Sequence, residues 1–291
     1  ADNMCDLPFG RIIFAQVADQ LAHDSVPLEI RLSAEMIFHC SLGDAHRAVD
    51  IANRLARFAK ESCPPFLAQR YLRYSAFAHH CHGTLDRAMQ LGRVALEVAE
   101  GLGSPPTIAS CAGSLASLLM DAGDIDSAES LIARAFERYT PGVHSVLDSN
   151  IWSYRAEVAI RRGDPASAED FLLRTLPSVE KTRSRRSRTR KYALQCRVEI
   201  LKFGAASSSL LDAFVMAFQD TMMSTHQDFN AESLILGLMS VGRYSDARAL
   251  WIEFLTRTRR DLSPLPYVFA QSLKPLIQED IRDLRMLEGL D

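Results

Sequence analysis

A fixed internal step constrains this chain more than any other feature. The segments LGDAHRAVDIA, HGTLDRAMQLG, AGDIDSAESLI and RGDPASAEDFL each carry a glycine followed five residues later by an alanine. The glycines are Gly43, Gly83, Gly123 and Gly163 and the alanines Ala48, Ala88, Ala128 and Ala168, so both columns advance by 40 residues. A further copy, VGRYSDARALW, places Gly242 and Ala247 nearly two steps beyond the fourth, with a degenerate unit around Phe203 and Gly204 between them. Self-similarity of this length identifies a repeat architecture in which each unit buries its apolar face only against its neighbours.

Each unit has the physics of a helical hairpin. An apolar-periodic stretch such as Ile108 to Met120 precedes the glycine and is long enough for three turns. Glycine then supplies the left-handed residue that satisfies the free carbonyls of a helix end. Asp44, Asp124 and Asp164 follow at once and suit the N-cap of the next helix. In the third unit Ile125, Ala128, Leu131, Ile132, Ala135 and Phe136 recur at three- and four-residue steps, one apolar face of an amphipathic helix. The alanine column is small where two helices approach closely. Pro64-Pro65, Pro105-Pro106 and Pro141 are expected to end the second helices.

The turn glycine, the alanine opening the second helix and the small first-helix column Ala76, Ala116 and Ala156 resemble the tetratricopeptide repeat family. Met36 breaks the first-helix column, and Leu55 and Thr175 depart from the later one that Ala95 and Ala135 match. The long step is similar to the variant found in bacterial LuxR-type transcription activators and related signalling proteins. The resemblance implies an all-α fold, a right-handed superhelical stack of antiparallel helix pairs forming a TPR-like solenoid. Residues 1–291 then make one domain, with five to seven helix pairs over 28–263, a capping helix within 1–27 (Arg11 to Leu21) and closing helices within 264–291 (Pro264 to Leu290).

Composition agrees with a packed helical chain. Its 291 residues exceed one compact core, and a 47% hydrophobic content excludes disorder. A formal charge of -3 speaks against coating nucleic acid through bulk charge. Cys5, Cys40, Cys63, Cys81, Cys111 and Cys196 stand alone without a CxxC pair, which points to core thiols in a reducing, cytoplasmic setting. No apolar run approaches the roughly 20 residues of a membrane span. The chain opens on Ala1 and Asp2 rather than methionine, so a longer parent protein is expected.

No catalytic constellation is present: there is no GxSxG elbow, Walker loop, dinucleotide fingerprint or HExxH helix, and neither an enzyme nor a cofactor is expected. His79, His80, Cys81 and His82 are consecutive, so they point in different directions and read as a polar helix end rather than a metal site. KTRSRRSRTRK, Lys181 to Lys191, holds seven basic residues in eleven, which leaves -10 on the rest (-3 minus 7). It is expected to be a solvated linker between the fourth and fifth units. RNA or DNA contact through it, or self-association with acidic surface, is the alternative.

The resemblance implies that the first helix of each pair lines a concave surface. That register selects Ile30, Ser33 and Ile37, then Arg70, Arg73, Phe77 and His80, then Ser110, Gly113 and Ser117, then Asn150, Ser153 and Glu157. Arg70 and Arg73 share one helix face and can grip a carboxylate or phosphate together. The SCAGSLAS stretch lacks large side chains and is expected to leave room in the groove. The function expected is a non-enzymatic regulatory or adaptor module that binds a protein or peptide there. The candidate contacts are Arg70, Arg73, Phe77, Ser110, Ser117, Asn150, Ser153 and Glu157. An effector-sensing domain of a transcription regulator, holding a small anionic effector, is the second expectation.

Overall fold

The repeat step reappears as pairs of helices. The computed structural model describes residues 26–42, 44–81, 83–142, 144–182, 185–219 and 227–258. Among these lie twelve helices and no strand. The first pair is α1 (Leu28–Leu42) with α2 (Ala45–Glu61), the second α3 (Pro65–Cys81) with α4 (Leu85–Leu102), and the third α5 (Pro105–Asp121) with α6 (Ile125–Arg138). Then come α7 (Ser145–Arg161) with α8 (Pro165–Thr182), α9 (Arg185–Phe203) with α10 (Ser208–Gln219), and α11 (Gln227–Ser240) with α12 (Tyr244–Thr258). Helices pack on their chain neighbours, and successive first helices also touch one another, so the fold is an all-α solenoid of helix pairs.

The expected turn chemistry is built as the residues dictate. Gly123 has φ +86°, a conformation costly for any residue with a Cβ. It lets the Gly123 N–H reach the Met120 carbonyl at 3.1 Å and the Asp124 N–H reach the Leu119 carbonyl at 2.9 Å. Asp124 then caps α6 by accepting from the Ser127 N–H at 3.1 Å. Asp164 repeats the cap on Ser167 at 3.1 Å. The degenerate unit keeps the device, since Gly204 has φ +80°.

The alanine column is where the paired helices meet: Ala88, Ala128, Ala168 and Ala247 are each 0% exposed. The prolines do more than stop second helices. Pro65 and Pro105 are the first residues of α3 and α5, where a missing N–H costs nothing. The apolar interior continues along the stack, from Met36, Leu55, Leu72 and Leu91, through Met120, Ile132 and Val158, to Leu194, Leu211, Phe214, Leu234 and Ile235. Each such side chain contributes about 1.5–3 kcal/mol by leaving water.

Cys40, Cys81, Cys111 and Cys196 are buried thiols and Cys63 is half-buried, none of them in a disulfide. Among the described residues no helix is long and apolar enough to cross a membrane. The expected capping helices at Arg11 to Leu21 and Pro264 to Leu290, together with Cys5, Gly43 and His82, lie outside the described residues.

Candidate functional site

The register positions separate into two groups. Arg70 is exposed, and Arg73, Phe77, Ser110 and Asn150 are half-buried. Phe77 packs against the core of the first pairs. Ser117, Ser153 and Glu157 are buried at 7%, 2% and 1% exposure, so they support the surface rather than present it. The Arg73 guanidinium on α3 donates to the Ser110 hydroxyl on α5, which joins two of the predicted residues across neighbouring pairs. Beside it the Cys111 thiol donates to the Gln69 side-chain oxygen at 3.4 Å.

The space expected over the small residues of α5 is partly filled. An added Cβ on Gly113 would sit 2.6 Å from Cε2 of Tyr154, so the Tyr154 ring of α7 lies directly on the glycine. That correction has a simple cause: a stripe without side chains invites the nearest long side chain of the next helix.

Below this surface, buried charges tie the first helices together. His80 of α3 lies 3.0 Å from Asp121 of α5. Asp121 lies 3.3 Å from Arg161 of α7, which donates to Glu157 one turn earlier at 2.8 Å. The other oxygen of Glu157 accepts from Arg190 of α9. Arg190 also covers the Phe229 ring of α11 at 4.2 Å, and Arg197 meets Glu232 of α11 at 3.1 Å. Burial alone would raise the Glu157 carboxyl, but Arg190 and Arg161 outweigh it and hold the group below its usual range.

Two sequence expectations are corrected here. His79 and His80 are not a polar helix end, since both are buried. His79 shares hydrogen bonds with Thr84 at 2.9 Å and Asn53 at 3.1 Å. The run Lys181 to Lys191 is not a linker either. From Arg185 it forms the first turns of α9, where Thr189 and Arg190 are buried and Arg185 and Arg188 are exposed. The signal was legible in principle, because Thr189, Ala193 and Cys196 recur at helical steps and form the buried face of α9, where Thr189 donates to the Ala217 carbonyl at 3.0 Å. The density of arginines concealed it.

Tyr154 is the point on which these elements converge. Burial pushes its hydroxyl up to about 12, and the charges of Arg190, Glu157, Arg73 and Arg186 act on it from α9, α7, α3 and α9. Three arginines, Arg73 from the predicted anchor and Arg186 and Arg190 from the basic run, therefore share the neighbourhood of Tyr154, where Arg73 also meets Ser110. Among the described residues no group of three or more His, Cys, Asp or Glu is placed to hold a metal ion.

Residues 114–181, which span the end of α5 through α8, match the tetratricopeptide repeat family. The search of curated proteins finds no match to the chain.

Proposed function

We propose that this chain is a non-enzymatic regulatory or adaptor module that binds a protein or peptide along the concave surface of its first helices. A tetratricopeptide-type stack suits such a role, because consecutive first helices offer one continuous surface without a closed cleft. The observation that carries the reading is the convergence of Arg73, Ser110 and Tyr154 from three successive pairs on one place. Arg70, one turn before Arg73, extends the cationic edge into solvent. Ser117, Ser153 and Glu157 hold this surface from beneath. The 40-residue step supports the longer LuxR-associated variant and a regulatory, cytoplasmic setting.

The test pairs Arg70→Ala, Arg73→Ala with a second variant neutralised at exposed Lys181, Arg185 and Arg188. Partners are recovered by pull-down and their affinities measured by calorimetry. The first variant should keep its helical signal and lose most affinity. Loss only in the second variant would move the function to the basic run and to an RNA or DNA partner. Normal binding by both would end the concave-surface reading.

A further inference from the structure

The four arginines around Glu157 and Tyr154 outnumber their carboxylates. Among the described residues, and with Glu232 set aside, Arg73, Arg161, Arg186 and Arg190 stand against Glu157 and Asp121 in this neighbourhood, an excess of two positive charges (4 minus 2). Glu232, which also acts on Arg161, is matched by its own partner Arg197. Both oxygens of Glu157 are already used, one by Arg161 and one by Arg190. Neither Arg73 nor Arg186 has a carboxylate at ion-pair distance among the described residues. Among the described residues, the buried Nε of Arg186 and the buried Nε and Nη1 of Arg190 have no hydrogen-bond acceptor, although Arg190 is only 3% exposed. Buried guanidinium N–H groups without acceptors are costly, and a surplus of like charge at one spot raises that cost further.

Arg73 reaches from α3 to Ser110, and the Tyr154 ring reaches from α7 back over Gly113. Ser110 and Ser114 on α5, and Asn150 on α7 one turn before Tyr154, are half-buried neutral groups that add no negative charge. We propose that Arg73, Arg186 and Arg190, with Ser110 and Asn150 at the rim, form a site for an oxyanion carried by an extended peptide, either a carboxylate or a phosphate ester. This deepens the peptide-binding reading above and rests on it for the peptide. The chemistry fits because planar guanidinium forks match both groups with paired charge-assisted hydrogen bonds.

The experiment uses the full chain and the variants Arg73→Gln and Arg186→Gln, with exposed Arg188→Gln as control and circular dichroism to verify helicity. The first measurement is thermal melting in sodium sulfate against sodium chloride at equal ionic strength. Sulfate stabilises folded proteins generally by exclusion, so the quantity read is the difference in its effect between wild type and variant. Wild type and Arg188→Gln should gain more than Arg73→Gln and Arg186→Gln. Equal gains in all four would overturn the site.

The second measurement is fluorescence anisotropy with one labelled alanine-glycine heptapeptide carrying serine, glutamate or phosphoserine at its centre. Wild type should bind a charged form at least about tenfold more tightly than the serine form, the preference vanishing in both variants. Which charged form wins identifies the oxyanion. Charge-indifferent binding of all three peptides overturns the oxyanion site and leaves the groove reading standing. A sulfate effect confined to wild type and the control, with no peptide bound, keeps the anion site and overturns the peptide as its occupant.

Discussion

Arg190 and Glu157 meet across two helix pairs with side chains only 3% and 1% exposed. Their contact joins α9 to α7, while Arg161 and Asp121 continue the chain of charges to α5 and His80 to α3. A solenoid has no long-range contacts to fix how its units are stacked. Buried ion pairs can do so, because a slipped register strands a charge, whereas apolar surfaces tolerate sliding.

Glu157→Gln should therefore cost about 3–5 kcal/mol at neutral pH, since two guanidinium groups remain buried beside a neutral amide. The pH dependence has a definite sign. The folded carboxyl is held below its ordinary value, so its contribution is present above the unfolded carboxylate range near about 4.3 and is lost as pH falls through the lower folded value. Urea midpoints of wild type should fall more steeply on acidification than those of Glu157→Gln. Parallel curves would mean the pair contributes nothing to stability.

Gly113→Ala should destabilise by about 1–3 kcal/mol, because the new methyl group meets the Tyr154 ring at 2.6 Å inside a packed contact. Combining it with Tyr154→Leu should cost less than the sum of the single changes, the mark of a shared contact. Additive losses in denaturant titrations would place the damage elsewhere.

Ala128→Leu tests the repeat column itself. Ala128 is fully buried where α6 meets its partner helix, and overpacking there should cost about 1–3 kcal/mol. An unchanged denaturant midpoint would contradict the pairing of α5 with α6.

Alkaline titration followed at 295 nm should reveal a late-titrating class among the seven tyrosines. Tyr139 and Tyr154 are both pushed up to about 12, Tyr154 chiefly by burial and Tyr139 by burial and its 2.7 Å bond to Asp148. Folding favours their neutral forms, so this contribution is present below the unfolded value of about 10 and is lost as pH rises through about 12. Tyr154→Phe should remove one late-titrating group. An unaltered late class would show that Tyr154 is exposed.

The sequence by itself determined the pairs. A glycine that must turn left-handed, an aspartate that caps the next helix and an alanine that admits a neighbour are local requirements, so Gly123, Asp124 and Ala128 announce their roles without any distant partner. Arg73 and Ser110 could be placed on one surface for the same reason, since the repeat step carries a face from one unit to the next. Only tertiary structure decided which polar residues face each other. Arg190 read as part of a solvated basic run because its partner Glu157 lies 33 residues earlier on another pair. Gly113 read as open space because the ring that fills it belongs to Tyr154. Helical periodicity is a property of one segment, whereas burial of a charge or a ring depends on how neighbouring helices rotate against each other. That rotation is set by the packing of whole faces, which no single repeat encodes.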